Sequence, residues 1–161
     1  KILKFPDQDL RIKAKPVEIF DDELKTLTDD MFETMHSVNG IGLAATQIGV
    51  AKQVAVIDIS PEKNEPLVIV NPEIKILDPS KKEDYDEGCL SVPGFFETIS
   101  RPSDIQLSYQ DLNGQKQEIK PEGLLTKVVQ HELDHLNGRL FVDHISELKR
   151  RRIRNKIVKQ K

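Results

Sequence analysis

A chain of 161 residues is long enough for one domain with a substantial core and short for two. Its 37% hydrophobic and 32% charged residues describe a globular protein, and no apolar run reaches the roughly eighteen residues a membrane span needs. Net charge is −3, yet eight cations and no acid lie between Lys149 and Lys161, so an acidic body carries a basic end. That asymmetry suggests an anionic partner such as nucleic acid, and a solvated basic helix face accounts for it equally well. Residues Lys1 to Pro6 hold no apolar signal region, so no export is expected, and the missing initiator Met is read as trimming of the natural start. Cys89 is the only cysteine, which fits a reducing compartment. A lone thiol is most often a buried apolar group, less often a nucleophile or a metal ligand.

Taken in order, residues 1–20 read as an irregular arm punctuated by Pro6 and Pro16. Asp21 and Asp22 are caps for a helix from about Glu23, with Leu24, Leu27, Met31, Met35 and Val38 as its apolar stripe. His36, in its last turn, reads as structural. A glycine-rich run, Gly40-Ile41-Gly42-Leu43-Ala44-Ala45-Thr46-Gln47-Ile48-Gly49, lets another backbone come close. It is not a dinucleotide fingerprint, because a helix precedes it and a strand follows. Strands are expected at Gln53–Ile59, Leu67–Val70, Glu73–Leu77, Phe95–Ser100, Ile105–Gln110 and Gln115–Ile119, with a charged loop at Asp78–Asp86. Asn113-Gly114 is a two-residue hairpin signal, and short strands with tight turns imply antiparallel pairing. A second helix begins after Pro121-Glu122-Gly123, with Leu124, Leu125, Val128, Leu133 and Leu136 on its buried side and Gly138 as its stop. Ser146 caps a last helix with a thin stripe of Leu148, Ile153 and Ile157, and His144 reads as a surface or turn residue. The whole predicts one α+β domain over residues 1–161, antiparallel strands around a central helix, with a helix near each end.

The chemistry centres on Gln130-His131-Glu132-Leu133-Asp134-His135. Two histidines four apart share one helix face and can close on a single metal ion. Glu132 then reaches a water on that metal without entering the coordination sphere, the spacing of a hydrolytic site with its base built in. A third ligand is needed. Cys89, 42 residues upstream beside Gly88, makes three protein donors with His131 and His135 and leaves a fourth position open, the pattern of a catalytic metal.

Three stretches carry a family resemblance: Gly40 to Gln47, Glu87-Gly88-Cys89-Leu90-Ser91, and Gln130 to Leu136. In order and separation they resemble the signature motifs of peptide deformylases, and the likeness spans essentially the whole chain. It implies hydrolytic removal of the formyl group from the N-terminal formyl-methionine of new bacterial or organellar polypeptides. It implies one divalent ion per chain, Fe(II) in the natural enzyme and often Zn, Ni or Co as prepared. By the same resemblance, Glu132 is general base and acid, and the Gln47 side-chain amide and Leu90 backbone N–H donate to the oxyanion. Ile41, Leu124 and Val128 line the methionine pocket, and backbone at Ile41 and Gly42 pairs with the peptide. Lys127 is more polar than such a pocket calls for, and Phe96 stands where many relatives carry arginine. Glu87 and Arg101 are expected to pair and fix the Cys89 loop. The cytoplasm or an organellar interior is the expected location, with no membrane or DNA partner. The basic end is expected to meet ribosomal RNA.

Two rival readings compete. A zincin-type endopeptidase takes its third ligand downstream of the helix, where Asp143, His144 and Glu147 are the candidates. A metal-stabilised RNA-binding module needs four protein ligands, and no second cysteine exists to complete them.

Overall fold

The computed structural model describes residues 1–160. Helix α1 (Asp22–Ser37) starts where its cap requires: the Asp21 side chain accepts the Leu24 N–H at 3.1 Å, satisfying one of the free donors of the first turn. Leu24, Met31 and Met35 are buried, whereas Val38 has already left the helix and is largely exposed. Seven strands follow: β1 (Gly42–Ala44), β2 (Val54–Ile57), β3 (Leu67–Ile76), β4 (Lys82–Cys89), β5 (Val92–Pro102), β6 (Ile105–Gln110) and β7 (Lys116–Ile119). They form a five-stranded antiparallel sheet in the order β1-β2-β3-β6-β7, and a separate antiparallel ribbon of β4 and β5. Helix α2 (Leu124–Leu136) lies against β1, β2 and β3, and α3 (Glu147–Lys159) follows a short 3-10 turn at Phe141–His144.

Three expectations differ from what forms. Asn71-Pro72 does not separate two strands but interrupts the register of β3 between Val70 and Glu73. Pro72 has no N–H to give, and Asn71 (φ +50°) replaces ladder bonds with its side chain, which accepts from Val17 N at 2.7 Å and donates to Val17 O at 2.9 Å. Most of the charged stretch before Cys89 is strand β4 rather than loop. A two-stranded ribbon with one face in water needs no apolar alternation, and Lys82, Glu83, Asp84 and Asp86 are all exposed on it. At the β6–β7 corner only Gly114 has positive φ (+78°), and Gly114 N–H closes on Asp111 O at 3.0 Å. The turn is therefore longer than the two-residue Asn-Gly type, which requires both residues left-handed.

Apolar burial is divided among three clusters. Ala44, Ala55, Ile57, Ile69, Leu107 and Val129 join the sheet to α2, and Met31, Met35, Leu43, Val54 and Val56 join it to α1. Phe5, Leu10, Val92, Ile99, Phe141, Ile153 and Ile157 tie the N-terminal arm, the ribbon and α3 together. Leu148 of α3 is exposed, so the stripe there is narrower than expected. Among the described residues, no helix is long and apolar enough to cross a membrane.

Arg11 grips the Phe141–His144 turn through both oxygens of Asp143, at 2.6 and 3.0 Å. Burial pushes the Asp143 carboxyl up, but the Arg11 guanidinium and the Leu140 N–H hold it below the ordinary aspartate value. A depressed folded-state value means the stabilisation is present above the unfolded pKa and lost as pH falls through the folded one. Wild type should exceed Asp143→Asn by about 1 kcal/mol at pH 7, given that the pair is partly exposed. The gap should narrow as pH is taken from 7 to well below the ordinary aspartate value of about 3.9. Urea denaturation at the two pH values checks this, and an equal gap at both would exclude the linkage.

Candidate metal centre

Helix periodicity sets His131 and His135 side by side, with their Nε2 atoms 3.3 Å apart. Two nitrogens each about 2.0–2.1 Å from one tetrahedral ion stand about 3.3 Å apart, so the observed spacing fits a shared cation. Cys89 ends β4, where the register slips between Gly88 and Cys89, and its Sγ lies 3.2 Å from His135 Nε2. The three donor atoms all lie within 4.8 Å of one another. Gly88 acts less by freedom of rotation than by lacking a Cβ. A Cβ there would stand 2.4 Å from the Phe96 ring, which covers the glycine beside Cys89.

Glu132 is buried on α2, and its Oε1 has no hydrogen-bond partner among the described residues. Burial pushes this carboxyl up to about 7, with His131 and Arg101 opposing and Glu87 and Asp134 adding to the rise. Gly42 makes room for it: a Cβ on Gly42 would stand 2.3 Å from Glu132 Oε2. The glycine-rich run thus brings bare backbone against the acid. Further along that run, Gln47 accepts the Ala44 N–H through Oε1 at 2.9 Å. Its Nε2 is thereby turned to the site, donating to Ser91 Oγ at 3.1 Å and facing Cys89 Sγ at 3.7 Å. The carbonyl of Leu90 is held by Lys4 Nζ at 2.9 Å.

The expected pairing of Glu87 with Arg101 is present and extends further than the sequence indicated. Arg101 forks onto both oxygens of Glu87, with Nη2 donating to Oε1 at 2.8 Å. Glu87 Oε1 also meets His131 Nδ1 at 2.9 Å, which leaves Nε2 of that ring facing the other donors. Desolvation opposes the Glu87 charge, but Arg101 and His131 hold its carboxyl at about 2. Burial likewise opposes charge on His131, yet Cys89, Glu87 and Glu132 raise it well above the ordinary histidine value. Burial, with the positive charge of His131 and Arg101, drives His135 well below it. His144 is more than a surface residue: its Nε2 meets Asp134 Oδ2 at 2.9 Å.

A cleft of about 430 Å3 opens onto these groups, and Ile41, Gly42, Gln47, Leu90 and Val128 line it with Cys89, His131 and Glu132. Leu124 packs instead against the cluster joining α2 to the sheet. Tyr85, Asp86, Phe96 and Lys127 also line the cleft. The apparent misfit of Lys127 is resolved by Glu83 of β4, which pairs with its ammonium and leaves the aliphatic stem in the wall. Strand β4 carries Glu83, Tyr85 and Glu87 to one side by alternation, a signal missed when the stretch reads as loop. The downstream peptidase ligands do not join the donors: Asp143 pairs with Arg11, His144 with Asp134, and exposed Glu147 with Arg151.

A helix-borne His-Glu-x-x-His set completed by a strand cysteine, in an α+β frame with an open cleft, defines a metallohydrolase. The polypeptide deformylase family model matches residues 1–151. A peptide deformylase of Cellvibrio japonicus is 58% identical over 159 residues, spanning 99% of this chain and 94% of that one. The crystal structure of a peptide deformylase from Legionella pneumophila superposes with a TM-score of 0.92 at 50% identity, covering 99% of this chain and 93% of its own. That of the Ehrlichia chaffeensis enzyme in complex with actinonin gives 0.93 at 41% identity, covering 100% and 96%. The chain belongs to the polypeptide deformylase family. It is accordingly a metal-dependent hydrolase acting on formylated nascent peptides.

A group hydrogen-bonded directly to a ligand typically sustains about 10- to 100-fold in metal affinity. Glu87→Ala should therefore weaken Zn(II) or Ni(II) binding by that order, read by competition with a chromophoric chelator. Unchanged metal content and affinity in the variant would remove Glu87 from any positioning role.

Proposed function

We propose that this cleft hydrolyses the formyl amide of N-formyl-methionyl peptides, with residues 1–161 acting as one catalytic domain in the cytoplasm or an organellar interior. The observation that carries the reading is the convergence of Cys89 Sγ and the two histidine Nε2 atoms, with Glu132 and Gln47 in the same cleft. Cys89, His131 and His135 hold one divalent ion, Fe(II) in the cell, and a Cys/His2 set also accepts Zn, Ni or Co. When bound, the ion supplies an activated water at neutral pH and positive charge for the reacting carbonyl.

Glu132 takes the proton of the attacking water. The water oxygen joins the formyl carbon, the C–N bond breaks, and Glu132 returns the proton to the leaving amine, so that formate and a free α-amine result. A carboxyl near 7 suits both halves of that exchange. Gln47 Nε2 and the Leu90 N–H donate to the developing oxyanion, each such donor being worth about 100- to 1000-fold. Backbone at Ile41 and Gly42 pairs with the extended peptide. Ile41, Val128 and the stem of Lys127 enclose the methionine side chain, and Leu124 supports that wall from the core. The same cleft is expected to take actinonin.

The test uses protein loaded anaerobically with Fe(II), or with Ni(II), given formyl-Met-Ala-Ser or a blocked internal peptide. Free amine should appear from the first alone; cleavage of only the second would overturn the reading. Glu132→Ala should keep its metal and lose at least about 100-fold in kcat.

We also propose that α3 docks on ribosomal RNA. Arg151, Arg152, Arg154 and Lys156 are exposed on it while Ile153 and Ile157 are buried, so truncation would damage the core and charge removal is the cleaner experiment. Changing those four residues to Gln should abolish low-salt sedimentation with ribosomes and flatten its salt dependence. Undiminished co-sedimentation would dismiss the docking role.

A further inference from the structure

We propose that His144 is a positioning residue for the metal centre, acting through Asp134, Arg101 and Glu87 upon His131. The inference rests on Cys89, His131 and His135 being the metal-holding set. His144 lies in the Phe141–His144 turn, outside the helix that carries the two histidine donors, with its side chain one-third exposed. Its Nε2–H donates to Asp134 Oδ2 at 2.9 Å. The same carboxylate oxygen accepts Arg101 Nη1 at 3.1 Å, Arg101 forks onto Glu87, and Glu87 Oε1 accepts His131 Nδ1–H at 2.9 Å. Four hydrogen-bonded contacts thus run from the surface to the imidazole.

The chain has a physical task. Arg101 is 4% exposed and has to satisfy two carboxylates from different elements with one rigid guanidinium. If Asp134 swings toward water, it pulls on Nη1 and rotates the fork that Glu87 depends on. Asp134 is the weak point, because it is partly exposed while Arg101 and Glu87 are buried, and it lies next to His135 in sequence. A second donor on Oδ2 from a separate element fixes its rotamer. The Phe141 ring, from the same turn, stacks on His131 at 6.4 Å between centroids. The turn therefore reaches the His131 ring twice, once by packing and once through the polar chain.

Zn(II) affinity of the full-length protein, measured by chelator competition, is the primary readout, with melting temperature followed alongside. His144→Leu should weaken Zn(II) binding about three- to tenfold, less than loss of a direct partner such as Glu87. His144→Gln, which restores an N–H donor to Asp134, should recover affinity to within about twofold. In an Asp134→Ala background, His144→Leu should change affinity no further, because the contact through which it acts is gone. The proposal is overturned if His144→Leu lowers only the melting temperature, if Gln fails to rescue, or if the loss persists without Asp134. These titrations contain no substrate. Failure of the unmodified enzyme on formyl-Met-Ala-Ser would defeat the catalytic reading and leave this result to stand or fall by itself.

Discussion

The guanidinium of Arg101 holds this site together. It sits 4% exposed between Glu87 from the ribbon and Asp134 from α2, two elements joined by little regular backbone bonding. A buried ion pair is weak support for stability, since desolvating both partners offsets most of their attraction. Its value here is geometric. Glu87, Asp134 and Glu132 would otherwise be three carboxylates crowded beside one imidazole, and repulsion would drive them apart or neutralise them. The guanidinium lets Glu87 stay ionised at about 2 and orient His131, while Glu132, with no such cation bonded to it, is left near 7. Two acids on neighbouring backbone thus acquire opposite characters because one has a fork and the other has only burial.

Close backbone approach is the second requirement. Helix α2 buries an unusual set of polar side chains around much of its circumference: Thr126, Lys127, Gln130, Glu132 and His135. Polar side chains can be buried there only if something without bulk passes over them. Gly42 does so for Glu132, Ala44 ends the same thin edge strand, and Ala45 opens the 3-10 turn that follows. Thr46 adds a bond from its hydroxyl to the His135 carbonyl at 3.1 Å, near the end of the helix where carbonyls lack internal partners. Gln130 is satisfied in a similar manner, donating to Pro102 O at 2.9 Å and so joining α2 to the end of β5. The small-residue run and the buried polar side chains of α2 are two halves of one packing solution.

What could be read from residues alone follows from how local each signal is. His131, Glu132 and His135 are fixed relative to one another by a single helical turn, so their spacing was legible. Cys89 was legible as a donor only by elimination and by resemblance, because its distance from His135 depends on a register slip in a ribbon that reads as charged loop. The Glu87–Arg101 pair was anticipated, but Asp134 and His144 were not, since their contacts cross between elements with no periodic relation. Leu124 is given as pocket wall by resemblance and also fits the apolar stripe of α2; it packs against the cluster that joins α2 to the sheet. Lys127 looked misplaced for want of Glu83, which alternation along β4 supplies once that segment is known to be extended.

Charge then explains why this interior tolerates the polar atoms it leaves bare. Glu132 Oε1 and His135 Nδ1 are buried without partners among the described residues, each a cost of about 1–3 kcal/mol in an ordinary core. Around them lie Glu87 and Asp134, already matched by Arg101, and the sulfur of Cys89. A divalent cation held by Cys89, His131 and His135 would place positive charge among these groups. The residues that orient His131, Glu87 foremost, therefore also set how well that charge is received.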